Sequence, residues 1–185
     1  RDGEEAIILK AWSDLLLSNA FPTTPLLCLV PRHPERFAEV ADQINNVGLR
    51  FRKRSEWSGI PSECGDLDVV LGDSMGEMYS YYSLANIALM GGTILPYGGQ
   101  NLIESMAMKV PVILGPHTYN FHDVSNEAIR LGAGIRIQTL DQLEKVLPHM
   151  LKSSSQLKMK KACNDMIRKH QGATLKMLNK IKSRV

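Results

Sequence analysis

The chain has 185 residues, of which 44% are hydrophobic and 22% are charged. These values favour one globular domain with a real core and exclude a disordered or fibrous chain. No apolar run approaches the roughly 18 residues that a membrane-spanning helix needs.

The net charge of +3 is unevenly distributed. Residues 151–185 carry ten Lys/Arg and one acidic residue, Asp165, so this segment is +9 and residues 1–150 are −6. A basic segment beside an acidic body suggests an acidic partner, an anionic membrane surface or a neighbouring domain. A solvated helix face explains most of these lysines equally well.

The predicted elements alternate between helix and strand. Helices are predicted over residues 4–17, 34–45, 77–83, 101–108, 123–131, 140–150, 156–170 and 174–181. Strands are predicted over residues 26–30, 47–53, 67–71, 87–90, 111–114 and 134–137. This alternation is typical of an α/β fold with a Rossmann-like, doubly wound parallel sheet.

Three polar loops follow predicted strands, at residues 31–36, 72–77 and 98–104. Sheets of this kind bind ligands beyond the carboxyl ends of their strands. Glycines in the third loop would let the backbone approach a ligand, and the helix start after it offers N–H groups to an anion. A carboxylate there can also accept hydrogen bonds from a ribose diol, so a nucleotide-linked ligand fits both features.

Helix capping is the structural alternative for two of these loops. Ser74 and Glu77 have the spacing of a capping box, and Asn101 and Glu104 are a close analogue. Capping and ligand contact therefore both remain open at this point.

Other sites are disfavoured by spacing. The glycines form neither GxGxxG nor a Walker motif, which argues against dehydrogenase and P-loop functions. His117 and His122 match no common metal-ligand spacing, so we expect loop structure there and no metal site. Cys28, Cys64 and Cys163 form no CxxC pair, and we expect reduced thiols in a cytosolic setting.

Four sequence blocks resemble the C-terminal half of bacterial Kdo transferases, which move 3-deoxy-D-manno-octulosonic acid (Kdo) from CMP-Kdo to lipid A precursor. They are PRHPERF at 31–37, GDSMGEM at 72–78, GG…YGGQNLIESMAMKVPVILGPHTYNF at 91–121 and NEAIRLGAG at 126–134. The resemblance implies the C-terminal Rossmann-like domain of a GT-B glycosyltransferase, spanning residues 1–185 with basic helices at 151–185.

The resemblance also implies which residues bind the CMP-Kdo donor. Glu104 would take the ribose hydroxyls, Arg32 and the helix start at Asn101 the phosphate, and Asn120 would border the sugar. The remaining implied contacts are Pro31, Met75, Gly76, Glu77, Gly98, Gly99, Leu102 and Ile103. The family form GGHNxxEP is GGQNLIES here, with Gln100 and Ser105 in place of the family's His and Pro and with Asn101 and Glu104 retained.

By resemblance, no catalytic residue lies in this chain, because the family's base belongs to an N-terminal acceptor domain. We therefore expect a fragment of an inverting, metal-independent transferase that is inactive alone and needs no cofactor. Lipid A precursor would bind through the missing domain at the cytoplasmic face of the bacterial inner membrane, with no nucleic-acid partner. Two alternatives are a UDP-sugar transferase or epimerase and a non-catalytic module with a basic docking tail.

Overall fold

The computed structural model describes residues 2–18, 20–21, 23–57 and 66–170. The helices are α1 Glu4–Leu17, α2 Phe37–Asn46, α3 Met78–Leu84, α4 Ile103–Ala107, α5 His122–Leu131, α6 Leu143–Leu151 and α7 Ser153–His170. The strands are β1 Leu27–Leu29, β2 Phe51–Lys53, β3 Val69–Leu71, β4 Ala88–Leu89, β5 Val112–Leu114 and β6 Gly134–Arg136. None of the helices in these ranges combines the length and apolar character needed to cross a bilayer.

The strands are parallel, and this confirms the predicted α/β class. Their hydrogen bonds form two three-stranded sheets, in the orders β1-β3-β2 and β4-β5-β6, where a single sheet was predicted. Leu27 of β1 packs against the core of the first sheet and also against the cluster around Ile113 of β5. The two sheets therefore adjoin through side-chain packing.

Helices cover both sheets. Leu9 and Trp12 of α1 pack with Val40 and Ile44 of α2 against the first sheet. On the second sheet, one cluster joins Leu102 and Met106, at the start of α4 and within it, with Ala128 of α5 and with Cys163 and Met166 of α7. Burial of each large apolar side chain contributes about 1.5–3 kcal/mol, so these clusters hold the loops at the strand ends in place.

Several predicted boundaries match and others shift. The helix predicted over 4–17 is α1, whereas the helix predicted over 101–108 is shortened to Ile103–Ala107. Within the predicted buried strand at 26–30, Cys28 is exposed and Leu26 is 43% exposed. The predicted helix at 174–181, Cys64 and most of the loop at 55–65 lie outside the described residues.

Candidate functional site

The first two polar loops leave neighbouring strands. Leu29 of β1 pairs with Leu71 of β3, so Pro31, Arg32 and the 72–77 loop follow the same edge of the first sheet. Pro31 is buried, whereas Arg32 is exposed and forms no hydrogen bond or ion pair with any described residue. Arg32 is therefore a cation available to a ligand at this edge.

The 72–77 loop is organised by Glu77, and not by the capping box that its spacing suggested. Glu77 itself occupies the N-cap position of α3, and the Ser74 hydroxyl donates to its carboxylate. Arg54 Nη2 also donates to Glu77 Oε1 at 3.0 Å. Met75 is 62% exposed and Gly76 is exposed, so the tip of the loop is accessible to a ligand. Glu77 would have to share its carboxylate between Arg54 and any ligand.

The start of α4 differs from the predicted analogue of a capping box. Asn101 Oδ1 accepts the Ile103 N–H at 3.0 Å. This N–H is one of the helix-start donors that were predicted to face an anion, and the Asn101 side chain already satisfies it. Leu102, at the N-cap, is fully buried, and its backbone is the part that a ligand could contact. Glu104 is half-buried, and its side chain forms no hydrogen bond or ion pair with a described residue, so its carboxylate is free.

The Glu104 carboxylate lies close to α3. Burial, with a smaller contribution from the Glu104 charge, raises the pKa of Tyr82 to about 12. Tyr82 thus stays protonated across the physiological range, as a hydroxyl donor near this carboxylate. In addition, α3 and α4, the helices that follow the second and third polar loops, contact each other.

Gly98 and Gly99 hold the third loop against the segment after β5. Both have φ of 86°, a left-handed conformation that glycine tolerates. A Cβ atom at Gly98 would collide with Asn120 and Tyr119. In addition, Asn120 N donates to Gly98 O at 3.0 Å, and Asn120 Nδ2 donates to Tyr97 O at 3.1 Å. Asn120 therefore borders the glycine loop.

Glu4 is a functional candidate that the sequence did not reveal. It is 1% exposed, and its carboxylate accepts N–H bonds from Gly92, Ile94 and Leu95 at 2.5, 2.9 and 3.0 Å. These bonds fix the turn that leads into Gly98 and Gly99. An acidic residue in the first turn of a helix is common, so its sequence position offered no sign of this distant contact.

Comparisons with known proteins point to one family. The chain is 40% identical over 180 residues to a 3-deoxy-D-manno-octulosonic acid transferase of Bordetella pertussis, covering 97% of this chain and 42% of the relative. It is 37% identical to the transferase of the same name from Haemophilus influenzae, over 98% of this chain and 42% of the relative. No protein-family model matches the chain.

A solved structure decides the assignment. The crystal structure of the C-terminal CMP-Kdo binding domain of WaaA from Acinetobacter baumannii matches with a TM-score of 0.79 and 30% identity. The match covers 90% of this chain and 84% of that domain. This chain belongs to the Kdo transferase family. It spans 42% of the length of the two transferases named above and matches the C-terminal domain of the family.

Proposed function

We propose that this chain is the donor-binding domain of an inverting, metal-independent glycosyltransferase that transfers Kdo from CMP-Kdo. The observation that carries the proposal is the match to a domain described as CMP-Kdo binding, which extends over 90% of this chain. The geometry supports it, since Arg32 and Glu104 are a cation and a carboxylate without partners among the described residues.

Each group has a role that follows from its chemistry. The Arg32 guanidinium would bind the phosphate of CMP and stabilise the charge that develops as CMP departs. The Glu104 carboxylate would accept hydrogen bonds from the ribose hydroxyls. The exposed tip formed by Met75 and Gly76 would contact the nucleotide, with Glu77 beside it.

The remaining contacts would come largely from the backbone. Gly98 and Gly99 have no side chains, so the nucleotide can approach the backbone of the third loop closely. Asn120 would border the sugar. The proposed donor site would be completed by main-chain atoms or exposed edges of Pro31, Asn101, Leu102 and Ile103. Residues 1–185 would act as one donor-binding unit.

The whole transferase would need a second domain. That domain would supply the base that deprotonates an acceptor hydroxyl, and it would bind the lipid A precursor. The complete enzyme would work at the cytoplasmic face of the bacterial inner membrane. This chain alone would bind the donor without transferring the sugar.

Titration calorimetry of the chain with CMP tests the donor-binding role. We expect CMP to bind, and Glu104→Ala to weaken binding by about 10- to 100-fold, because hydrogen bonds to a charged acceptor contribute about 1.5–3 kcal/mol. The matched control is Glu144→Ala. Glu144 also lies in the first turn of a helix and is exposed.

The control should bind CMP as the wild type does. Equal CMP affinity in the Glu104 variant and the wild type would remove the role assigned to Glu104. Tighter binding of UMP or UDP than of CMP would instead favour the UDP-sugar alternative.

A further inference from the structure

A second polar cleft lies beyond the carboxyl ends of β5 and β6. Its volume is about 330 Å³, within the range of small-molecule sites. The side chains that matter for its chemistry are His117, Thr118, His122, Asn126 and Arg136. No acidic residue of the described ranges lines it. The cleft thus offers hydrogen-bond donors and positive charge.

Arg136 is held rigidly in this cleft by neutral groups. Its Nη1 donates to Gly115 O at 3.1 Å and to Thr118 Oγ1 at 3.0 Å, and its Nη2 donates to Asn126 Oδ1 at 3.1 Å. No described carboxylate lies within ion-pair distance of it. Since a guanidinium carries five N–H donors, two remain for a ligand, and the cation is already oriented.

The two histidines add polar groups at the rim. The His117 ring forms no hydrogen bond with a described residue, while His122 contacts Asn126 Nδ2 at 3.0 Å and Asp123 Oδ1 at 3.2 Å. The Asp123 side chain is fully exposed, so solvent screens its charge. Asp123 is not among the residues that line the cleft and forms no ion pair with Arg136.

The cleft adjoins the glycine loop of the proposed donor site. Tyr119, which lines the cleft, lies against Gly98, and a Cβ atom at Gly99 would come within 3.7 Å of the His117 carbonyl oxygen. The cleft therefore lies beside the glycine loop and Asn120, the residue that the proposed function places at the sugar. The sugar of CMP-Kdo is an acid, and its carboxylate fits a rigid guanidinium with two free N–H donors.

We propose that this cleft is an oxyanion site in which Arg136 binds the carboxylate of the transferred sugar acid, with His117 at its rim. The inference rests on the proposed CMP-Kdo function and adds a sugar contact separate from the nucleotide contacts. It assigns discrimination for an acidic sugar to β6 and the loop after β5. A neutral sugar would leave the guanidinium without its counter-ion.

The test compares CMP, CMP-Kdo and inorganic phosphate as titrants of the 185-residue chain. Arg136→Gln should leave CMP affinity within about twofold and weaken CMP-Kdo by about 10-fold or more, the equivalent of one charge-assisted hydrogen-bonded pair. Arg136→Lys keeps the charge and should recover part of that loss. Arg130→Gln is the matched control, because Arg130 is exposed and pairs with Glu127 outside the cleft.

His117→Ala provides a variant that removes no hydrogen bond between described residues, and it should weaken CMP-Kdo more than CMP. Equal weakening of CMP and CMP-Kdo by Arg136→Gln would overturn the proposal, since Arg136 would then support the fold or the nucleotide. Unchanged CMP-Kdo affinity in both cleft variants would also overturn it. An Arg136-dependent response to phosphate without preference for CMP-Kdo would assign the cleft to a phosphate group instead. Failure of the wild type to bind CMP would be a different result, which contradicts the donor-binding function itself.

Discussion

At the scale of single residues, Glu4 links the start of α1 to a loop about ninety positions away. A buried carboxylate is tolerated when hydrogen-bond donors surround it, and three backbone N–H groups do so here. The same bonds satisfy N–H groups of the turn at residues 92–95, so removal of Glu4 would leave one buried and two partly buried donors without this acceptor. Glu4 is thus a positioning residue for the glycine loop.

We expect Glu4→Ala to lower the free energy of unfolding by about 3 kcal/mol, because one buried and two partly buried donors lose their acceptor. Glu4→Gln keeps one acceptor oxygen and should fall between this variant and the wild type. Urea unfolding measures both. Glu144→Ala, an exposed acid at an equivalent helix position, should cost about 0.5 kcal/mol. Equal losses in the two alanine variants would contradict the role of Glu4.

Asp68 makes the stability of the fold depend on pH. Its buried carboxylate accepts hydrogen bonds from Arg50 N at 2.9 Å and from Arg50 Nε and Nη2 at 3.0 Å. The Arg50 side chain is the main cause that lowers the pKa of Asp68, against the opposing effect of burial. Because the folded pKa lies below the unfolded value, the stabilisation is present above about pH 4 and is lost as the pH falls through the folded pKa.

Asp68→Asn should therefore cost about 1–2 kcal/mol at pH 7, a value reduced by the exposure of Arg50. The gap between wild type and variant should narrow as the pH falls below 4. Urea midpoints measured from pH 7 to pH 3 test this sign. A gap that stays constant over that range would show that the carboxylate charge is not the stabilising feature.

At the scale of elements, α7 has two distinct faces. Its apolar residues Met159, Cys163 and Met166 are buried in the core. Its cations Lys158, Lys161 and Arg168 are exposed. Leu157 of α7 is 75% exposed, but the rest of the apolar face is already packed. We therefore expect membrane contact of α7 to be mainly electrostatic and sensitive to salt.

We expect the chain to sediment with vesicles that contain anionic phospholipid and not with neutral vesicles. Changing Lys158, Lys161 and Arg168 to Gln together should abolish most of this binding, at about 1 kcal/mol per cation. A triple Gln variant of Lys10, Arg52 and Lys145 makes the same charge change elsewhere and serves as the control. Equal loss of vesicle binding in both triple variants would indicate that net charge alone drives the binding. Absence of vesicle binding by the wild type would show that the cations of α7 form only a solvated helix face.

At the scale of the whole molecule, local patterns predicted the elements well. The first-turn acids and apolar spacing of residues 4–17 predicted α1, and the apolar run at 67–71 predicted the fully buried β3. The start of α4 was predicted two residues early because the Asn101 side chain forms a turn with Ile103 N–H before the helix begins. The periodicity of apolar residues does not reveal such competition between a side chain and the helix backbone for an N–H group.

The site was less predictable than the fold, since its central contacts join distant parts of the chain. The pairing of Arg54 with Glu77 and the contact of Asn120 with Gly98 depend on how the loops pack. The sequence places Arg136 in a short predicted strand and gives no sign of a site there. Its contacts with Thr118 and Asn126 arise only from the fold. For Glu77, Asn101 and Glu104, sequence spacing alone could not distinguish ligand contact from helix capping. The resemblance to the family was what identified them as candidate site residues.

In the proposed function, the loops after β1, β3 and β4 form one CMP site. An amide chemical-shift titration of the wild-type chain with CMP tests it most directly. We expect the shifts to concentrate at Arg32, Gly76, Gly99 and the 101–104 segment, while the amides of α7 stay unchanged. Unperturbed signals in those loops at millimolar CMP, or shifts confined to α7, would contradict it.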